Sequence, residues 1–162
     1  MKTVYVDNNA TTAVAPEVYE EMLPFLTTNY FNPSSMYDQA STVSHAVQDA
    51  RRQVTDILGG ADPEEVFFTS GATESNNTAI RGVARSNPNR RHIITSTVEH
   101  PAVLEVCEEM EKEGYDVTYV PVDQDGNLDK SAFVRALRTD TLLVTIMSAN
   151  NETGVIFPIA DL

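Results

Sequence analysis

Apolar and polar positions recur along this chain in patterns that predict helices separated by short buried strands. The clearest helix covers residues 36–57, where apolar residues recur at alternating steps of four and three, and Gly59-Gly60 ends it. Such a stripe is more typical of a core or interface face than of a cofactor site. The same reasoning predicts helices over residues 16–26, 101–114 and 129–137.

Four short runs rich in β-branched and aromatic residues predict strands over residues 66–68, 92–97, 117–120 and 141–147, and residues 3–6 are expected to be extended. Apolar strands that alternate with helices, without tandem repeats, indicate an α/β fold with a mostly parallel sheet flanked by helices. In such sheets ligands bind beyond the carboxyl ends of the strands.

The segment 66–77 is the first with a chemical signature. A predicted strand passes through a small, hydroxyl-rich turn into a helix whose first amides are free to bind an anion. Gly71 allows close approach of the backbone, and the hydroxyls of Thr73 and Ser75 can add donors. An ordinary N-cap, in which Ser70 or Thr73 satisfies its own helix, explains the same residues, and this segment alone leaves both readings open.

Three loops are predicted to lie at the same edge of the sheet, because they follow parallel strands. They begin at Ser70, Val98 and Ala149. Taken alone, His100 is either a satisfied loop residue before a helical proline or a catalytic group. If the loops converge, they assemble side chains suited to a polar ligand: Ser70, Thr73, Ser75, His100 and Asn151.

Composition narrows the choice of partner. The 162 residues are enough for one domain with a sizeable core, and 11 Lys plus Arg against 24 Asp plus Glu give a formal charge of −13. That charge disfavours a nucleic acid or an anionic membrane as partner. No apolar run is long enough for a membrane span, and a signal peptide is not expected. Between Arg52 and Arg81 the sequence has no Lys or Arg, so an anion at the turn must be held by amides, the helix dipole and hydroxyls.

Several other sites are disfavoured by their motifs. Neither a Walker phosphate loop nor a G-x-G-x-x-G dinucleotide fingerprint occurs, and no His/Cys pair has zinc-ligand spacing, so no metal is expected. The alternating acids that begin at Asp123 imitate a calcium loop, but a misplaced glycine favours a turn. The single cysteine, Cys107, suits a reducing cytoplasm, and its position within a predicted helix, without a nearby cation, favours a structural thiol.

Five motifs in one order carry a resemblance to a known family. They are D-N-N-A-T-T at 7–12, N-P-S-S at 32–35, F-T-S-G-A-T-E-S at 68–75, V-E-H-P-A-V at 98–103 and A-N-N-E-T-G at 149–154. Together they resemble the cysteine desulfurases of the NifS-like branch, which are class V, fold type I pyridoxal-phosphate enzymes.

The resemblance implies a fold, a cofactor and residue roles. The chain would form part of the large domain of a fold type I transferase, with 1–15 as a segment near the active site and 16–162 as an incomplete cofactor-binding domain. Pyridoxal 5′-phosphate would be the cofactor. Ala72 and Thr73 would hold its phosphate, His100 would stack on its ring and assist proton transfers, and Asn151 would bond its phenolic oxygen. The substrate would lie near Asn32, Ala10 and Thr11.

The implied activity is the removal of sulfur from L-cysteine, which leaves L-alanine and an enzyme persulfide for iron–sulfur cluster assembly. The resemblance further implies a cytoplasmic homodimer that passes sulfur to a scaffold or another acceptor protein. The family's Schiff-base lysine and persulfide cysteine match no position here, so residues 1–162 alone are expected to be inactive. Three alternatives remain open: another class V enzyme (a selenocysteine lyase or an aminotransferase), a non-catalytic truncated binding or assembly module, and a generic phosphate-binding α/β domain.

Overall fold

The computed structural model describes residues 3–60 and 62–162 of the chain. It divides into two compact units, Met1–Phe68 and Thr69–Leu162, which we describe one at a time. The division predicted after residue 15 stays a prediction. None of the helices in the described ranges has the length and apolarity needed to cross a membrane.

The first unit contains two helices, α1 (Pro16–Thr27) and α2 (Asp38–Ile57). Both predicted helices are confirmed, and Pro16 occupies the first turn of α1, where its missing N–H costs no hydrogen bond. Met36 was expected to begin the apolar stripe of α2, but it precedes the helix and is fully exposed. The stripe is buried at Ala40 and Val43.

The strand predicted over residues 66–68 is wrong. These residues adopt no strand, and the side chains of Phe67 and Phe68 are 79% and 54% exposed. Arg51 takes the place of a strand partner, because its Nε donates to the carbonyl oxygen of Val66 at 3.0 Å and its guanidinium lies 5.6 Å from the centroid of the Phe68 ring. An apolar run forms a strand only where a neighbouring strand pairs with its backbone.

The second unit is a three-layer α/β arrangement. Its elements are α3 (Ala72–Ser86), β1 (His92–Ser96), α4 (Pro101–Lys112), β2 (Asp116–Val120), α5 (Lys130–Ala136) and β3 (Thr141–Thr145). The three strands are parallel in the order β2-β1-β3, as the alternation of strands and helices predicted. The observed strands end one or two residues before the limits predicted for β1 and β3.

The central strand β1 is buried on both faces. Ile93 packs in one cluster with residues of α3 and α4, and Ile94 packs in a second cluster with Phe133 of α5 and with Phe157. Both isoleucines are 0% exposed, and such burial contributes roughly 1.5–3 kcal/mol for each side chain. The two clusters hold the strand ends in fixed positions beneath the loops that follow them.

Three polar side chains of β1 are also buried, those of His92, Thr95 and Ser96. The His92 ring bridges both neighbouring strands, because Nδ1 lies 2.9 Å from Thr141 Oγ1 and Nε2 lies 2.9 Å from Thr118 Oγ1. Thr95 differs, since its Oγ1 meets no hydrogen-bond partner within the described ranges. The buried side chains of His92 and Ser96 are therefore hydrogen-bonded, whereas that of Thr95 is not.

Candidate functional site

Helix α3 begins without a side-chain cap. Its N-cap residue, Gly71, is in extended conformation, and no side chain accepts a hydrogen bond from the first turn. Ser75 N is the first amide of α3 that reaches a backbone acceptor, Gly71 O, at 3.1 Å. In the part of the chain that the structure describes, the amides of Ala72 and Thr73 therefore have no acceptor.

The hydroxyl groups around this turn differ in whether they form hydrogen bonds within it. Thr69 Oγ1 and Ser75 Oγ lie 2.6 Å apart and both approach Gly71 O, so their hydrogens are used within the turn. The hydroxyl of Thr73 has no such bond among the described residues, so it remains available beside the free amides.

Ser70 does not cap α3, so the N-cap reading is wrong for this residue. Its amide and its hydroxyl both donate to Glu74 Oε2, at 2.7 and 2.6 Å. These bonds hold the pKa of the Glu74 carboxyl below its usual value, the hydroxyl contributing most. Because Ser70 bonds to a carboxylate and not to a helix amide, the first turn of α3 keeps the donor set of an anion site.

Helix α4 is capped by His100. The ring Nδ1 accepts a hydrogen bond from the amide of Ala102 at 3.1 Å, and Pro101 occupies the first helical position. A neutral imidazole that accepts at Nδ1 carries its proton on Nε2. His100 is exposed, so the Nε2–H faces outward from the helix N-terminus.

The first turns of α3 and α4 lie at the same end of the helix pair. Thr73 and Asn77 of α3 line one shallow groove together with Ala102 and Glu105 of α4. Thr73 of α3 and Ala102 of α4 thus lie near each other, but the loop that begins at Ser70 follows no strand, so the convergence of the three loops stays a prediction.

The third loop follows β3 and is built around Asn150. Its Oδ1 accepts from the amides of Glu152 and Thr153 at 3.0 and 2.9 Å. Gly154 closes the turn at φ +75°, in the left-handed region that favours glycine, and its amide donates to Asn150 O at 2.9 Å. Asn151 is exposed at the tip, where its Nδ2 donates to Glu152 Oε1 at 3.0 Å.

Two direct links join this loop to the one that carries His100. Glu99 Oε1 accepts from the amide of Met147 at 2.8 Å, and Asn150 Nδ2 donates to Val98 O at 3.1 Å. The structure therefore brings the loops of His100 and Asn151 together. No role was predicted from the sequence for Glu99 or Asn150. The position of Glu99 was a signal for one, because its carboxylate lies between a buried strand and the proline that begins a helix.

The residues expected near the substrate lie in the first unit. Asn32 Oδ1 accepts from Ser34 N at 2.9 Å, and the amides of Ala10 and Thr11 donate to Asp7 O at 3.2 and 3.5 Å. These contacts describe local turns, and the substrate role of the three residues stays a prediction.

Cys107 is a core residue. It is 0% exposed, and burial raises the pKa of its thiol to about 11, with smaller contributions from the charges of Glu111 and Glu99. A thiol of this kind is almost wholly protonated at neutral pH, so the expectation of a structural cysteine is confirmed.

The acidic run at residues 123–129 forms a turn. Asp123 Oδ1 accepts from the amides of Asp125 and Asn127, both at 2.9 Å. Asp129 caps α5 by accepting from Ala132 N at 2.8 Å. The carboxylates therefore act as backbone acceptors, and no metal-binding group of His, Cys, Asp and Glu is found among the described residues.

Comparison with known proteins gives one consistent result. Residues 4–162 match the family described as aminotransferase class-V. The chain is 51% identical to a cysteine desulfurase of Trichormus azollae, with 100% of this chain and 40% of the relative covered. It is 49% identical to cysteine desulfurase IscS of Methanosarcina thermophila, with 99% of this chain and 40% of the relative covered. The chain thus spans about 40% of the length of these curated relatives.

Solved structures agree with this match. A NifS-like protein superposes with a TM-score of 0.94 at 43% identity, covering 98% of this chain and 43% of that one. The structure titled SspA in complex with cysteine superposes with a TM-score of 0.92 at 41% identity, covering 98% of this chain and 46% of that one.

Proposed function

The chain belongs to the aminotransferase class-V family, and on that basis we propose that it forms the cofactor-anchoring part of a cysteine desulfurase. The complete protein would take sulfur from L-cysteine, release L-alanine and keep a persulfide for iron–sulfur cluster assembly. The observation that carries this proposal is the uncapped start of α3, where the amides of Ala72 and Thr73 and the Thr73 hydroxyl have no partner among the described residues and Thr73 lines a groove with Ala102 of α4. The similarity to cysteine desulfurases supports the choice of reaction within the family.

The donor set fits the phosphate of pyridoxal 5′-phosphate. The amides of Ala72 and Thr73 and the Thr73 hydroxyl can each donate to a phosphate oxygen, and the positive end of the α3 dipole favours the anion. Neither Lys nor Arg occurs between residues 52 and 81, so the site relies on neutral donors from this segment. When bound, the cofactor supplies an electron sink for the substrate's α-carbon.

His100 would hold a proton at Nε2, on the exposed side of its ring. Because Nδ1 is occupied by the Ala102 amide, the ring can release this proton only if Nδ1 takes one in exchange, which breaks the helix cap. The cap therefore favours the tautomer that donates from Nε2. In the proposed reaction His100 would orient the ring of the cofactor, and delivery of the Nε2 proton would be balanced by uptake of a proton at Nδ1, which opens the cap.

Asn151 would donate to the phenolic oxygen of the cofactor from the tip of the third loop. Asn32, Ala10 and Thr11 are proposed to lie near the substrate.

We also propose that the protein works as a cytoplasmic homodimer and passes sulfur to a scaffold or another acceptor protein. The twelve residues of α1 support a further contact surface, since none of them is buried and several are large and apolar. The most exposed of these are Leu26 at 66%, Tyr19 at 54% and Val18 at 51%.

The activity is tested with the protein that carries this chain at its full natural length. Incubation with L-cysteine, pyridoxal phosphate and a thiol reductant is expected to give sulfide and alanine in equal amounts. Alanine formed from selenocysteine alone would identify a selenocysteine lyase, and amino-group transfer to a keto acid would identify an aminotransferase. Either result rejects the desulfurase.

The phosphate anchor is tested by changing its donors one at a time. Ala72→Pro removes one amide at a helix position where proline is tolerated, and Thr73→Val removes the hydroxyl at nearly constant volume. Each is expected to raise the dissociation constant of pyridoxal phosphate about tenfold. Ala72→Ser keeps the amide and serves as the control. Equal cofactor affinity in all four proteins would reject this site.

A further inference from the structure

The two candidate cofactor residues of the second and third loops share one structural feature. Each directly follows a residue that bonds across to the other loop: Glu99 precedes His100, and Asn150 precedes Asn151. Both links connect the same two loops, and they point in opposite directions, one toward Met147 and one toward Val98. The backbone on both sides is thus fixed immediately before the side chains that face outward.

Glu99 is an unusual residue for this position. It is 7% exposed, and it forms no ion pair within the described part of the chain. Its Oε1 accepts from two neutral donors, Ser96 Oγ and Met147 N, both at 2.8 Å. A buried carboxylate is costly unless hydrogen bonds compensate for lost water, so a group that merely filled space here would be apolar.

We infer that Glu99 is a positioning residue for the cofactor site. Its carboxylate holds Met147, two residues beyond the end of β3, and thereby sets the distance between His100 and Asn151. Asn150 completes the link, since its Oδ1 shapes the turn and its Nδ2 bonds to Val98 O. This inference rests on the proposed function, because it assigns the two outward-facing side chains to one ligand.

The charge of Glu99 strengthens both bonds. An ionised acceptor forms hydrogen bonds that are roughly twice as strong as neutral ones. The two donors come from β1 and from the residue two places beyond the end of β3, so the carboxylate connects the carboxyl ends of neighbouring strands. Loss of the acceptor therefore frees the third loop without removing any residue that is proposed to contact the cofactor.

The test uses the full-length protein loaded with pyridoxal phosphate. Glu99→Leu removes the acceptor at similar volume, and Glu99→Gln keeps an oxygen acceptor but not the charge. In Glu99→Leu, amide exchange across residues 147–154 is expected to rise about tenfold, and the absorbance maximum of the bound cofactor and its pH dependence should shift. Glu99→Gln should fall between this variant and the parent. The matched control is Glu108→Gln, on the exposed face of α4 and outside the groove that Thr73 lines.

Each outcome decides the inference. Unchanged exchange across residues 147–154 overturns the link, and faster exchange with an unchanged cofactor spectrum overturns the positioning role. If Glu99→Leu does not fold, the same two readouts on Glu99→Gln decide. If the parent protein binds no pyridoxal phosphate, the proposed function is overturned, and this inference with it. This outcome differs from the others because it is seen in the parent protein, without any substitution.

Discussion

The Nδ1 atom of His100 accepts a hydrogen bond from the backbone amide of Ala102 at 3.1 Å. An imidazole nitrogen thus does what a Ser, Asp or Asn oxygen usually does at a helix N-cap. The bond separates two roles of one side chain, because Nδ1 belongs to the helix while Nε2 is exposed. Substitutions can remove either role without the other.

Replacing His100 by Asn is expected to keep the cap and abolish the proton donor. Asparagine is a good N-cap residue, so the thermal midpoint of the folded protein should change little. Turnover of L-cysteine should fall by about a hundredfold or more, because general acid–base groups contribute on that scale. Steady-state kinetics and calorimetry on the full-length protein measure the two effects.

His100→Leu is the matched variant, since it removes both the cap and the proton. It should lose as much activity as His100→Asn and about 1 kcal/mol of stability in addition. Full turnover in His100→Asn would remove His100 from the chemistry.

Lowering the pH is expected to reduce the free energy of unfolding, because His92 becomes protonated. Burial, supported by the charge of Arg138 and opposed by Asp116 and Asp140, holds the pKa of His92 below its usual value in the folded protein. As the pH falls, His92 therefore takes up its proton at a higher pH in the unfolded chain than in the folded protein. The stability that neutral His92 provides is complete above its unfolded pKa of about 6.5 and is lost as pH falls through the lower folded pKa.

The measurement compares urea unfolding at pH 8 and at pH 5. The parent should lose more stability over this interval than His92→Gln, in which the side chain can still bond to a threonine hydroxyl but does not titrate. Identical pH slopes in the two proteins would contradict the assignment.

Thr95 and Thr118 should respond in opposite ways to the same substitution. Thr95→Val replaces an unpartnered buried hydroxyl by a methyl group and is expected to raise the free energy of unfolding by roughly 1 kcal/mol. Thr118→Val leaves His92 Nε2 without its partner and is expected to lower that free energy by roughly 1–2 kcal/mol. Chemical unfolding of both variants provides the check, and equal destabilisation would show that Thr95 does have a partner.

Cys107 is expected to resist alkylation in the folded protein. With a pKa of about 11, close to one thiol in a thousand is ionised at pH 8. Iodoacetamide should modify the Cys107 peptide at least a hundredfold more slowly than in urea, as followed by mass spectrometry. Cys107→Ala should keep the full activity proposed for the complete protein, at some cost in stability. Rapid labelling of the native thiol would be inconsistent with its burial.

Local patterns determined most of the fold. The helices at Pro16–Thr27 and Asp38–Ile57 and the strand at His92–Ser96 were predicted from spacing and end signals, because these depend on residues close in sequence. The parallel sheet followed from the alternation of strands and helices.

The sequence by itself therefore determined most of the helices, the three strands that follow residue 91, and the parallel direction of those strands. The tertiary structure decided which groups pair with one another. Phe67 and Phe68 pair with no strand, and Glu99 bonds to Met147 across 48 residues. Hydrogen bonds between distant residues depend on strand register and burial, which no local pattern encodes.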